Sequence, residues 1–400
     1  MTSAERCEVA IVGGGPAGAA LAIRLAREGR DVVLLERQPS YRWRPGGVFS
    51  SPATVHELGL LGIDALGLGM AQPIPRLWLE VAGAPPLPLN YGRREPGDPS
   101  AVGFDRAALD PHLLAAAHAA GADVRTGVMA TVLDLDRPRL AIGKRELRAD
   151  ILVGADGIRS SVARTAGIVD RPWLRRRVGL TCHIPESDAP GDARLVVLQE
   201  GYCGLAPVPG GRVNIGIVLG PTGEELLHRR GGAAILRSTL ASLPPIPEAS
   251  TAPRPEPEAA TPVDRLVGAA PLSHAVRRRA GERWLVVGDA AGFLDPFSGE
   301  GLHRAFVSAR LAADAIQRHR IDGVDSLRHY DQAMRRRFVG KDVVSGLVQA
   351  FLSQPALLRY TMRRLASRAD LAKRLELVIA DLAPPSTALD PRVLVRLLAP

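Results

Sequence analysis

Residues 7–36 read CEVAIVGGGPAGAALAIRLAREGRDVVLLE, and the order of residue types in this stretch decides the fold. Cys7–Val12 is a short apolar run suited to a buried strand, and Asp31–Glu36 is another. Between them Leu21, Ile23 and Leu25 mark a helix over 16–29, closed by Gly29. Strand, helix and strand make a βαβ unit. Its first turn carries Gly13-x-Gly15-x-x-Gly18, with Pro16 and Ala17 inside it. Gly13 permits a tight turn, Gly15 lets the backbone approach a pyrophosphate, and Gly18 lets the helix pack close to the strand. The helix N-terminus then offers free N–H groups and a positive dipole end to phosphates. Glu36 ends the second strand, 18 residues past Gly18, where a carboxylate accepts from ribose hydroxyls; Arg37 follows it. A dinucleotide site is expected here.

Outward from this unit, a helix is expected over 106–120, a strand at Asp123–Arg125, two short strands within 129–148, and an apolar strand, ILVGAD, ending at Asp156. Residues 176–220 alternate and are rich in turn formers, which predicts antiparallel strands at VGLTCHI, ARLVVLQE, YCGLAPV and VNIGIVL. The proline-rich stretch 244–262 reads as a surface connection. A strand returns at 283–288 and a helix at 300–319; beyond 325 the pattern is helical and arginine-rich, with proline breaks at 355 and 384–385. The expected class is α/β. A Rossmann-like domain, a parallel sheet with antiparallel crossover strands, spans 1–75, 101–175 and 276–325. It interleaves with an antiparallel-sheet substrate domain at 76–100 and 176–275, and a helical region follows at 326–400.

Composition narrows the partners. The 400 residues suffice for two or three domains. Net charge is +9, yet Lys144, Lys341 and Lys373 are the only lysines among 51 basic residues, and the arginines are spread along the chain. No aromatic-interleaved basic stripe appears, so nucleic acid is not an expected partner. Cys7, Cys182 and Cys203 form no CxxC pair and no metal-ligand spacing, so no metal is expected and a reducing cytoplasm is the default. No signal region and no run of 18 apolar residues is present. The arginine-rich C-terminal helices are a candidate membrane-peripheral surface, and no motif encodes an oligomeric state.

The late segment VGDAAGFLDPFSGEGLHRA, residues 287–305, specifies the dinucleotide. Gly288-Asp289 ends a strand, where a carboxylate reaches a polyol chain. Pro296, Gly299 and Gly301 keep side chains away from a flat ring. Gly301, followed by Leu302, begins a helix whose N-terminus stabilises negative charge. A reduced flavin carries such charge and FAD has a polyol linker; a nicotinamide has neither.

These stretches together resemble the flavoprotein superfamily of aromatic hydroxylases, geranylgeranyl reductases and flavin-dependent halogenases. VGGGPAG with Glu36, ADG at Ala155–Gly157 and GDAAGFLDPFSGEG occur in order, and the resemblance runs from residue 7 to about 318. It implies that Asp289 binds the FAD ribityl chain, and that Asp156 and Gly157 lie near FAD and any incoming NAD(P)H. It also implies that Arg106 lies against FAD, and that Arg44 sits in a basic loop near the pyrophosphate or the substrate mouth. No second glycine-rich βαβ unit exists, so NAD(P)H is a transient reductant or an external reductase replaces it.

The branch signals diverge. Hydroxylases usually carry histidine after GDAA, whereas this chain has Gly292, as the reductases and halogenases do. RPGGVFSSPATVHELGLLG also looks reductase-like. Halogenases need a lysine from early in the chain, and none is there. The strand Tyr202–Pro207 keeps the leading aromatic and the proline of the reductases' tryptophan-containing strand, with Gly204 in place of the tryptophan. The C-terminal helices resemble those of bacterial hydroxylases of polyketide-derived phenolic lipids. The leading expectation is an NAD(P)H- and O2-dependent monooxygenase of a lipophilic aromatic substrate. A double-bond reductase and a flavin-binding protein without turnover are the alternatives. Tyr202, His183 and His303 are the catalytic candidates, with Phe297 as a wall residue.

Overall fold

Val9, Ala10 and Ile11 are fully buried, and their strand, Glu5–Val12, is the spine of the molecule. The computed structural model describes residues 5–43, 46–91, 100–171, 177–186, 191–253, 255, 261–322 and 325–398. Glu5–Val12 pairs in parallel with Val32–Glu36 on one side and Arg145–Gly154 on the other, and Val32–Glu36 pairs in turn with Asp123–Thr126. Parallel neighbours require crossovers, and helices Pro16–Arg27 and Arg106–Ala119 supply them. Ala17, Ala19, Ala20 and Ala22 are buried in the first, so small side chains let it lie close to the sheet.

The ten-residue strand Arg145–Gly154 changes partner half-way. Its first half pairs antiparallel with Arg139–Ile142, which pairs with Ala130–Asp134; its last residues pair parallel with Trp284–Val286. This exchange brings the late segment back to the seven-stranded nucleotide sheet. The expected strands ending at Asp156 and Gly288 are shorter, stopping at Gly154 and Val286. The chain then leaves the sheet in 3-10 turns at Gly157–Arg159 and Gly288–Ala291. Asp156 and Asp289 thus stand just past the carboxyl ends of strands, where open α/β sheets bind ligands.

A second seven-stranded sheet runs in the order Val267–Ala269, Val178–Pro185, Arg212–Leu219, Gly201–Val208, Ala193–Val197, Leu77–Val81, Leu87–Leu89. It is antiparallel except where Ala193–Val197 meets Leu77–Val81. On one face Cys182, Ile184, Cys203, Val213 and Ile215 pack with Ile235, Leu236 and Leu240 of helix Gly232–Ala241. The opposite face, with Tyr202, Gly204 and Ala206, turns toward the nucleotide sheet. A small sheet of Phe49–Ser50, Ala101–Phe104 and Ala71–Ile74 joins the two. The C-terminal helices Asp325–Leu352, Pro355–Ser367 and Ala369–Ile379 brace the outer strands: Leu358, Met362, Leu365 and Leu371 pack with Leu77, Leu87, Leu89 and Tyr91. No helix among the described residues is long and apolar enough to cross a membrane.

One buried ion pair ties the parallel junction of the second sheet. Arg194 and Glu80, 1% and 4% exposed, meet bidentately at 2.7 and 2.8 Å, and Arg194 also donates to the Pro244 carbonyl at 2.7 Å. Arg194→Met strands a buried carboxylate and is expected to cost about 3–5 kcal/mol in a denaturant titration. Adding Glu80→Leu should recover most of that loss; a single-variant loss under about 1 kcal/mol would show that the pair behaves like a surface pair.

Candidate active site

Between the carboxyl ends of the parallel strands and the inner face of the second sheet lies a cavity of about 650 Å³. Gly13, Gly15, Pro16, Ala17, Glu36 and Arg37 line its nucleotide end. Arg106, Asp156 and Gly157 line the middle with Gly288 and Asp289, and Pro296, Gly299, Gly301 and Leu302 line the remaining wall. Arg44 lies outside the described residues. Gly18 is set back from the cavity and locks the turn: a Cβ there would sit 2.0 Å from the Gly13 carbonyl oxygen. Gly13 itself has φ +111, and its Cβ would sit 2.4 Å from the Ala155 carbonyl oxygen. Neither position can hold a side chain without moving the turn.

The residues present fit FAD. Gly15 caps helix Pro16–Arg27 with no side-chain hydrogen bond, so first-turn N–H groups have no intrahelical partner and suit a pyrophosphate. The Glu36 carboxylate is buried and oriented by the N–H groups of Gly14 (2.8 Å) and Gln38 (2.9 Å). Asp156 Oδ2 accepts from the Ser161 N–H and hydroxyl at 2.6 and 2.7 Å, whereas its Oδ1 is buried with no hydrogen-bond partner among the described residues. That orphan acceptor borders the cavity and calls for a donor on the bound group. Arg106 is buried and bidentate on Asp110 at 2.6 and 2.8 Å, with Nη1 donating to the Gly47 carbonyl at 2.9 Å. Burial alone would depress its pKa, but the Asp110 charge and hydrogen bonds hold it above its ordinary value. Arg106 therefore braces the loop 46–48 as well as facing the cavity.

The ceiling is apolar, built by Leu77, Leu195, Ala206, Val218 and Leu272, with Thr181, Asn214 and Tyr202 as polar points. Tyr202 donates to Asp295 Oδ1 at 2.6 Å and meets Phe297 edge-on at 5.1 Å. Asp295 also accepts from Arg177 at 2.8 Å and from the Phe297 N–H at 3.0 Å. Burial, then the Asp295 charge, pushes the Tyr202 phenol well above its ordinary pKa of 10, so it stays neutral. Asp295 and Arg177 escaped the sequence reading; a lone carboxylate in the apolar run GFLDPF is the signal that pointed to the first.

Two catalytic candidates need correction. His183 and His303 are buried and neither lines the cavity. His183 sits under the Trp43 ring, 4.3 Å between centroids, with Nδ1 held by Asp264 at 2.6 Å. His303 turns to the C-terminal helices, where Arg337 lies 3.0 Å from Nε2. Both rings are thus placed away from the cavity lining.

Comparison with known proteins agrees with this geometry. Residues 6–175 match a family model described as FAD binding domain. The chain is 30% identical over 342 residues to a menaquinone reductase of Mycobacterium tuberculosis, covering 79% of this chain and 78% of that protein. It is 32% identical over 326 residues to digeranylgeranylglycerophospholipid reductase 2 of Methanopyrus kandleri, covering 77% and 76%. A flavoprotein/dehydrogenase structure from Cytophaga hutchinsonii superposes with TM-score 0.79 at 19% identity, over 94% and 93% of the two chains. The chain belongs to this superfamily of FAD-dependent oxidoreductases.

The position after GDAA acquires a physical reason. Gly292 has φ +120, and the adjoining Phe293 exchanges backbone hydrogen bonds with His274 at 2.7 and 2.8 Å. A histidine at 292 would find room for its Cβ, 3.8 Å from the His274 carbonyl oxygen, but would have to hold a φ that L-residues rarely adopt.

Two outcomes test the site. Asp289→Ala should leave the fold intact but remove FAD from the purified oxidoreductase, read from visible absorbance; normal flavin content would refute the assignment. Burial, foremost, lowers the pKa of both His274 and His303 from 6.5. The unfolded chain binds those protons more readily, so stability should fall as pH drops below about 6.5. The melting temperature should decline between about pH 7.5 and about pH 5.5, and less steeply in His303→Gln.

Proposed function

We propose that this oxidoreductase reduces a carbon–carbon double bond in a lipophilic, isoprenoid-like substrate, with NAD(P)H or a partner reductase delivering the electrons. The observation that carries the substrate class is a side-chain-free gap in the cavity's ceiling, where Gly204 stands in place of the reductases' tryptophan. Gly204 and Gly216 are cross-strand partners, and a Cβ on either would meet nothing nearer than 3.8 Å. Their lack of side chains is therefore not forced by the backbone; it leaves open space among Leu77, Leu195, Leu272 and Val218. A long apolar chain can lie there and exclude water. Two relatives at 30% identity or above are named as reductases of lipophilic molecules, which supports the same class.

Bound FAD, once reduced, supplies a hydride equivalent. The chain's own residues bind and orient. The N-termini of Pro16–Arg27 and Gly301–Asp322 would hold the anionic parts of the cofactor, and Asp289 and Glu36 would accept from its hydroxyls. The apolar ceiling desolvates the reacting bond. Tyr202 keeps its own proton, donates a hydrogen bond to Asp295 and meets Phe297 edge-on, so its part is shaping the cavity.

Hydroxylation of a lipophilic phenol is the second reading, favoured by the three polar points Thr181, Asn214 and Tyr202 in that ceiling. The two readings separate in one assay. FAD-loaded enzyme is given NADPH and, in turn, menaquinone, geranylgeraniol and a long-chain alkylphenol, with and without 18O2. Product heavier by two hydrogens, formed without oxygen, is expected; incorporation of labelled oxygen replaces the proposal with hydroxylation. Flavin that stays yellow with every reductant, dithionite included, would sink both. Gly204→Trp should retain FAD but lower kcat/KM for a long-chain substrate at least about tenfold, since filling a cavity costs on the order of 1–3 kcal/mol.

A further inference from the structure

The loop that ends the cavity carries a buried carboxylate that the proposed chemistry does not use. Glu300 lies between Gly299 and Gly301, both of which line the cavity, but its own side chain turns away and is buried. Its carbonyl accepts from the Arg304 N–H at 2.8 Å, so helix Gly301–Asp322 starts from it. Its Oε1 lies 2.7 Å from Lys341 Nζ. Lys341 comes from the middle of helix Asp325–Leu352, is 2% exposed, and also donates to the Val378 carbonyl at 2.5 Å. Asp381 Oδ1 lies 3.3 Å from the same ammonium and 3.4 Å from Arg337.

We propose that Lys341, backed by Asp381 and Arg337, is a positioning residue that compensates the Glu300 charge and thereby sets how strongly the Gly299–Gly301 loop and its helix stabilise reduced FAD. The inference rests on the FAD reading of the cavity. Two carboxylates, Glu300 and Asp381, are balanced by two cations, Lys341 and Arg337. Arg304 pairs with Asp342 beside them. Burial lowers the His303 pKa, so its ring is neutral; Arg337 donates to Nε2, which puts the ring proton on Nδ1. The compensation is by charge more than by saturated hydrogen bonding. Asp381 Oδ2 and His303 Nδ1 are buried without partners among the described residues, and Asp381 holds φ +59, a left-handed conformation for a non-glycine residue. Such a residue persists only where its surroundings over-determine it.

The choice of lysine fits this role. The chain uses arginine at all but three of its 51 basic positions, yet a lysine stands here. A compact ammonium with three donors fits between two carboxylates and a carbonyl, where a planar guanidinium is larger and its fork differently directed. Burial raises the Glu300 carboxyl pKa and the Lys341 charge pulls against it, so Lys341 also favours its ionised form. An uncompensated anion at the start of helix Gly301–Asp322 would oppose the positive end of the dipole that faces an anionic ring.

The test is the flavin midpoint potential of the full-length, FAD-loaded protein, equilibrated with a redox dye, for wild type, Lys341→Met, Glu300→Gln and the double variant. Lys341→Met should weaken binding of reduced relative to oxidised FAD about tenfold, a fall of about 30 mV for the two-electron couple. That fall should grow as the pH is raised and Glu300, whose pKa burial lifts, ionises more fully. Glu300→Gln should move the potential the opposite way, and the double variant should return toward wild type. A purely structural role would not give opposite signs that cancel. If Lys341→Met does not fold, the Glu300→Gln arm decides alone: no rise overturns the proposal. A double variant no nearer wild type than Lys341→Met overturns it too. Potentials that ignore every substitution in flavin-loaded protein overturn the clamp alone. A wild-type chain that holds no flavin overturns the cofactor reading and the clamp with it.

Discussion

Two buried carboxylates hold the loop 295–300, and the rest of the site depends on that restraint. At one end Asp295 gathers Tyr202, Arg177 and the Phe297 N–H. At the other Glu300 meets Lys341. The first anchor belongs to the substrate sheet and the second to the C-terminal helices, so one short loop is fixed to two bodies of structure that meet the nucleotide sheet from different sides. Without such partners a loop that contains Gly299 and runs into Gly301 has little of its own to define its path, since glycine is the most permissive residue in backbone conformation. Breaking either anchor leaves a buried charge uncompensated, which is costly, so the loop is held tightly even where it makes few apolar contacts.

The interleaving of the two sheets follows from the same need. Strand Arg145–Gly154 carries antiparallel neighbours along its first half and receives Trp284–Val286 along its second. A chain that has built the substrate sheet must return to the parallel sheet, and the vacant half-edge of this strand is where it lands. The return places Gly288 and Asp289 beside the first turn: a Cβ on Gly288 would sit 2.8 Å from that of Ala17. The pyrophosphate turn, read from residues 13–18, and the late segment, read from 287–305, are therefore packed against each other although far apart in sequence. Helix Gly301–Asp322 then runs against Pro16–Arg27, which brings two helix N-termini to the same cavity.

How much of this was legible in sequence follows from the range of the interactions involved. Glycine spacing, strand runs and the Asp and Glu at strand ends express local backbone needs, and residues 7–36, 155–157 and 287–302 announce them. Helices Pro52–Gly59 and Pro221–Arg230 were not read, because each begins on proline, which serves both as a helix start and as a breaker. The anchors were hidden for a different reason. Tyr202 and Asp295 are 93 residues apart, and Arg177 and Asp295 are 118 apart. Lys341 looked like an ordinary helix residue until the C-terminal helices folded back over Glu300. His183 misled in the opposite way. It follows Thr181 at the strand period of two and shares its face, but the Trp43 ring and Asp264 cover it, so the cavity ends before it.

Gly292 shows why the choice of chemistry resists a single-residue reading. In sequence it looks like a side-chain difference, histidine in one branch and glycine in another. In the structure it is also a position of unusual backbone. At φ +120 an L-residue is strained by on the order of 1–3 kcal/mol, and the bridge between Phe293 and His274 fixes the path on both sides. Exchanging the side chain alone would place a histidine at a strained φ. The same loop leads directly into Asp295 and its anchors. The course of the chain from 292 to 301 is thus one unit, in which the glycine sets the entry, Asp295 and Glu300 set the hold, and the ring-facing residues between them inherit their positions. The space between is shaped by that path and by the gap at Gly204 and Gly216 opposite it, acting together.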